Sequence, residues 1–178
     1  MARSGDSFRR VSAAPPITTE RLLLRPLVEA DVDELVALHA DAESRRFLGA
    51  LDRDEALRRV RDSEREWRER GHGRAAIVHR ESGRFLGRSG LKHITHFDEV
   101  EIAWALHRDV WGQGYATEAA RAWIEWGFAS LDAPYFTAMI EPQNERSFAV
   151  AARLGMTRLR DDVIIGRDIV VFAAQRSG

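Results

Sequence analysis

The stretch Trp111 to Ala119, WGQGYATEA, constrains this sequence more than any other. It precedes a segment in which Ala119, Ala120, Trp123, Gly127 and Phe128 fall on one helical face, giving a helix of about four turns from Ala116. A strand must therefore pass to a long helix through a turn made by Gly112 and Gly114. The first N–H groups of a helix have no intrahelical partner and sit at the positive end of its dipole, so a glycine-rich entry can cradle a phosphate. Taken alone, the two glycines fit a plain tight turn; the rest of the chain decides.

That remainder reads as one α/β domain. Arg21 to Arg25 is a short apolar run stopped by Pro26, the pattern of a first strand. Asp31 and Glu34 have capping-box spacing and predict a helix over roughly 30–41, while Asp52 and Glu55 open a second, charged helix that runs to Arg70. Seven acidic and seven basic residues make that second helix a solvated face. Residues 74–79, 84–92 and 99–106 predict three antiparallel strands, the first two joined at Glu81, Ser82 and Gly83. After the long helix come a strand over Tyr135 to Ile140, a helix over Asn144 to Leu154 ended by Gly155, and a hairpin of 163–165 with 168–174. The predicted order is β α α β β β α β α β β. Residues 1–16, with Ser4, Gly5, Ser7, Ser12, Pro15 and Pro16, are expected to form a flexible leader, leaving 17–178 as the domain.

Composition removes several kinds of function. The 178 residues are 44% apolar and 31% charged, with no apolar run near the length of a membrane span, so a cytoplasmic protein is expected. The 27 basic and 28 acidic residues leave a net charge of −1, which gives no bulk attraction to nucleic acid. Only Lys92 among the basic residues is a lysine, and cysteine is absent. Thiolate metal sites and cysteine nucleophiles are therefore excluded, and group transfer must be direct or use another nucleophile. His93 and His96 have no partner motif for zinc, so no metal is expected. Trp67, Trp123 and Trp126 read as core or interface anchors, since no basic stripe accompanies them.

The glycine turn itself matches neither common nucleotide motif. A third glycine and a parallel βαβ frame are missing for a dinucleotide site, and Gly-Lys-Ser/Thr is missing for a Walker A loop. It resembles the acyl-CoA loop Arg/Gln-x-x-Gly-x-Gly/Ala of the GCN5-related N-acetyltransferase (GNAT) superfamily, through Gly114 and Ala116, with Trp111 in place of the first residue. The form WGQGYATEA resembles the RimJ/RimL branch, the ribosomal-protein N-terminal acetyltransferases. So do ITTERLLLRP (Ile17 to Pro26), EIAWAL (Glu101 to Leu106) and IEPQNERSFAVAARLGM (Ile140 to Met156).

The resemblance covers about 17–174 and implies a mixed, mostly antiparallel twisted sheet of about six to seven strands flanked by about four helices. It implies an acetyl-CoA-dependent transfer to a primary amine, either a protein N-terminus or a small molecule. A homodimer is implied only by analogy. The strand over Glu101 to Leu106 would carry a bulge and splay from Tyr135 to Ile140, admitting the pantetheine arm by strand addition at Ala105 and Leu106. Gly112, Gln113, Gly114, Tyr115, Ala116 and Thr117 would surround the diphosphate. Asn144 is either an N-cap or a neighbour of the pantetheine arm, or both. The tyrosine acid of many members is replaced by Ala151, leaving Ser147 as donor or water holder, and also near the coenzyme.

An amine must lose a proton before it attacks. Glu101 is the first candidate base, Glu141 the second and His107 the third. The first two helices and their connection, about 30–73, would build the acceptor pocket. A CoA-binding regulatory or scaffold protein without catalysis is the alternative, and nucleotide binding is a third.

Overall fold

The computed structural model describes residues 16–176. The expected leader lies outside them except for Pro16. Along the chain come β1 (Ile17–Thr18), β2 (Leu22–Pro26), α1 (Val32–Ala40), α2 (Ala42–Leu48), α3 (Arg53–Arg70), β3 (Arg74–His79), β4 (Phe85–Ile94) and β5 (Glu99–Leu106). They are followed by α4 (Tyr115–Ser130), β6 (Tyr135–Ile140), α5 (Glu145–Arg153), β7 (Thr157–Ile164) and β8 (Arg167–Gln175). The strands form one sheet in the order β1-β2-β3-β4-β5-β6-β8-β7. Every neighbouring pair is antiparallel except β5 with β6. This is the mixed, mostly antiparallel sheet flanked by helices that the sequence predicts.

Three elements differ from expectation for local reasons. The two residues of β1 are too short to show a period. The seven residues of α2 span about two turns; Asp41 caps it by accepting from the N–H groups of Glu43 and Ser44. β7 starts six residues before the predicted 163 because Arg158, Arg160, Asp161 and Asp162 hide the alternation. Charges of that kind suit an edge strand, where they discourage pairing with another chain.

Two apolar layers cover the sheet. Ala119, Ala120 and Trp123 of α4 pack on Leu22, Leu24, Ile77, Leu91, Ile102 and Phe136. On the other face Val32 and Leu35 of α1 and Ala56 and Val60 of α3 pack with Leu27, Ala76, Val78 and Phe85. Trp67 and Trp123 are buried and Trp126 is half-buried, with Trp67 ring centroids 5.7 and 5.9 Å from the other two. Asp52 caps α3 through Glu55 N–H, as its spacing predicts. Asp31 does not cap α1. Its carboxylate instead accepts from Val28 N–H and binds Arg25 at 2.7 and 2.8 Å, which ties β2 to the 3-10 turn before α1.

Candidate active site

The sheet opens between β5 and β6. Their parallel pairing is confined to one register, Glu101 opposite Thr137, after which no main-chain ladder joins them. The bulge expected on β5 is absent from its ladder with β4, which runs without a shift from Glu99 to Leu106. The irregularity lies one strand away: Ile77 faces Gly87 and Val78 faces Phe85, leaving Leu86 of β4 as the extra residue. Gly87 takes it up with φ +154°, where a Cβ would meet Ala105 O at 2.1 Å.

Alternation then decides which main-chain groups face the opening. His107 N–H donates to Leu86 O, and Ala103 O accepts from Ser89 Oγ, so this set of groups, Ala105 included, faces β4. The groups of Trp104 and Leu106 face the gap. Leu106 O is already taken by the Trp111 indole N–H at 2.8 Å. Trp104 is thus a residue that the sequence reading missed, and the alternation of main-chain groups was the signal for it. Trp111, the departure from the superfamily pattern, fixes the strand end and carries Arg146 over its ring at 4.5 Å.

The opening leads into a cleft of about 1350 Å³. Ala105, Leu106, Gly112, Gln113, Gly114, Tyr115, Ala116, Thr117, Asn144 and Ser147 all line it, together with Trp104 and Trp111. Gly112 and Gly114 have φ of +76° and +83°, and Gly114 is the N-cap of α4 with no side-chain cap. The first N–H groups of that 16-residue helix are consequently free to meet an anion. Thr117 Oγ1 is buried there without a partner. Open space beyond Gly112, free helix N–H groups and an orphaned hydroxyl fit the diphosphate of coenzyme A.

An acidic residue, Glu118, stands in the first turn of α4 and is held by Thr19 and Arg21. It accepts from Thr19 Oγ1 at 2.6 Å, Arg21 N–H at 2.9 Å and Arg21 Nε at 2.7 Å. Arg21 Nη1 also donates to Gln113 O at 2.9 Å, and its guanidinium lies over Tyr115 at 4.3 Å. Arg21 and Glu118 therefore hold the loop. Arg21→Ala raises KM for acetyl-CoA about 10-fold with little change in kcat, the size expected when bonds to a charged group are removed.

Burial pushes the Glu118 carboxyl up, but the Thr19 and Arg21 bonds outweigh it and hold the group below its ordinary 4.5. A depressed carboxyl stabilises above its unfolded pKa and loses that contribution as pH falls through the folded value. Between about pH 5 and pH 3 thermal stability should drop more steeply in the wild type than in Glu118→Gln.

The remaining candidates separate. Asn144 Oδ1 caps α5 by accepting from Ser147 N–H at 3.2 Å, and both side chains face the cleft. Ala151 is fully buried. Glu101 lies outside the cleft lining, at the apex where β5 and β6 part, with Oε2 3.1 Å from Arg74 Nη2. Counted equally along both strands, Glu141 stands across the opening from Ala105; Arg167 Nη2 holds its Oε1 at 2.9 Å. Arg167 also donates to Arg46 O and Phe47 O, joining the β7–β8 hairpin to the C-terminal end of α2. His107 is 3.7 Å from Glu34 and does not face the cleft. Glu43, Ser44, Arg46, Phe47 and Leu48 of α2 also line the cleft, so the helix missed in the sequence forms part of its wall. His93 bonds to Asp98, and no cluster of three metal-ligating side chains occurs among the described residues. None of the described helices is long and apolar enough to cross a membrane.

A sheet parted at one register, with a glycine-led helix N-terminus beside the opening, defines an acyl-CoA-dependent transferase. Residues 21–157 match the acetyltransferase (GNAT) domain, and the chain belongs to that family. It is 30% identical over 152 residues to YkkB of Bacillus subtilis, covering 82% of this chain and 87% of that protein. The crystal structure of an acetyltransferase from Agrobacterium tumefaciens is 31% identical, with a TM-score of 0.82 over 98% of this chain and 100% of that one. A Salmonella typhimurium acetyltransferase that modifies the N-terminal serine of a 50S ribosomal subunit protein shares the fold: TM-score 0.76, 18% identity, 89% and 97% covered. The protein is an acetyl-CoA-dependent acetyltransferase acting on an amine.

Proposed function

We propose that the chain transfers acetyl directly from acetyl-CoA to a primary amine within a ternary complex, in the manner of the RimJ/RimL branch that its motifs resemble. The single observation that carries this reading is the cleft through the β5–β6 opening, which joins the free N-terminus of α4 on one side to α2 on the other. Bound acetyl-CoA supplies the thioester. Trp104 and Leu106 pair with its pantetheine arm, and Gly112 to Thr117 receive the diphosphate through main-chain N–H groups.

Each chemical step then has a residue. Glu101 takes a proton from the incoming ammonium through water, leaving a neutral amine to form the C–N bond as the C–S bond breaks. A main-chain N–H of β5, best placed at Trp104, meets the charge developing on the acetyl oxygen. Ser147 Oγ gives a proton to the departing sulfur, in the place where Ala151 offers none, and regains one through water from the nitrogen that has become the amide. Asn144 holds Ser147 in position while capping α5.

Glu101→Gln lowers kcat about 100-fold and leaves the KM for acetyl-CoA unchanged, whereas Glu141→Gln acts less strongly. Turnover that stays within a few-fold of wild type in Glu101→Gln removes the base assignment. Acetyl-CoA binding without acetylation of any amine or peptide in a broad library replaces the transferase reading with the regulatory one.

A further inference from the structure

On the sheet face away from α4, β3, β4 and β5 bring together more positive charge than they compensate. Arg88 stands opposite Ala105 and Lys92 opposite Glu101 in the β4–β5 ladder. Arg74 reaches Glu101 Oε2 through Nη2, while its Nη1 is buried with no partner. Neither Arg88 nor Lys92 makes a hydrogen bond or ion pair among the described residues. Burial, followed by the neighbouring Arg74 charge, pushes the Arg88 guanidinium down to about 9. His39 of α1 is 2% exposed and gives Nδ1 to Gly49 O at 3.0 Å, leaving Nε2 without a partner, near Arg88 and Arg59. The acidic groups within reach are Glu101 and Glu66, against Arg74, Arg88, Lys92 and Arg59. Arg59 is itself paired with Glu55.

Arg74, Arg88 and Lys92 are half-buried and exceed the carboxylates near them, which favours an anionic partner, and a planar guanidinium offers paired donors suited to a carboxylate or phosphate. The position of the cluster matters as much as its charge. Ala105, opposite Arg88 in the ladder, and its neighbour Leu106 line the cleft that α2 also lines. Ala103, a small side chain on the same face between Glu101 and Ala105, is half-buried. The arrangement therefore sets Glu101, with Arg74 and Lys92 beside it, at one end and Arg88, which has no partner among the described residues, at the other.

We propose that the acceptor is a primary amine that also carries a carboxylate or phosphate, the anionic group received by Arg88 with the unpartnered Nη1 of Arg74 and the ammonium by Glu101. This deepens the transferase reading above and rests on it. Polycationic amines are disfavoured by the same charges.

Acetyl-CoA consumption by the full chain tests this with matched pairs: alanine against alaninamide, phosphoethanolamine against ethanolamine, and spermidine alone. The anionic member of at least one pair should have kcat/KM about 100-fold above its neutral partner. The pair that responds tells carboxylate from phosphate. Arg88→Met should erase the preference by raising KM for the anionic amine, and Arg88→Lys should restore part of it. Turnover of both pairs within threefold, or spermidine as the best acceptor, overturns the proposal and leaves the transferase reading intact. If acetyl-CoA raises Tm but no amine in a broad library is consumed, the transferase reading fails and the acceptor proposal falls with it.

Discussion

Gly114→Val lowers the affinity for acetyl-CoA about 100-fold while the far-ultraviolet circular dichroism of the protein stays that of the wild type. Gly114 has φ +83°, a region that a β-branched residue reaches only with strain. Relief of that strain rotates the peptide planes that start α4, and the N–H groups of Tyr115 and Ala116 turn with them. The added Cβ also comes into contact with Arg21 Nη2, at 3.4 Å, on the arginine that holds the loop. Titration of acetyl-CoA by calorimetry reads the effect, and a folded variant with Kd within threefold of wild type overturns the diphosphate site.

Gly87→Val should be the most damaging substitution in the sheet. A Cβ there falls 2.1 Å from Ala105 O and 2.6 Å from Leu106 Cα, both main-chain atoms with no freedom to rotate away. The β4–β5 ladder has to shift at the strand end that presents Trp104 and Leu106 to the opening. Overpacking of this kind costs about 3 kcal/mol, which lowers Tm by roughly 10 °C in a chain of this length. Loss of acetyl-CoA binding accompanies the loss of stability because one displacement causes both. Differential scanning fluorimetry with and without acetyl-CoA measures the two together; a Tm within 2 to 3 °C of wild type, about 1 kcal/mol, would show that β4 yields at little cost.

The glycine turn before α4 was legible in the sequence because it depends on residue type: glycines before a helical pattern leave few other conformations. The same holds for β3, whose bounds match the expected 74–79, and for α3, where Asp52 and Gly71 mark both ends. Pairing partners depend on the whole sheet and were harder to read. Asp31 has the right spacing for a cap but meets Arg25, six residues earlier, and a bidentate ion pair outweighs a local hydrogen bond. The bulge expected on β5 sits on β4 because Gly87 can take the extended positive φ there. Trp111 gave no hint in the sequence that its indole would close the last carbonyl of β5. The charge excess around Arg88 was invisible for a related reason: Arg74, Arg88, Lys92 and Glu101 lie on three strands, and only their register brings them to one face.

The one-register contact of β5 with β6 has a mechanical side. Strands β1 to β5 and strands β6 to β8 are two leaves hinged on Glu101 and Thr137, with α4 packed against both as a spine. On the proposed binding mode, a pantetheine arm between the leaves would splice them into a continuous ladder, and its departure would leave them hinged again. Part of the sheet's rigidity would then be on loan from the cosubstrate, and amide protons of β5 and β6 should exchange with solvent faster whenever acetyl-CoA is scarce.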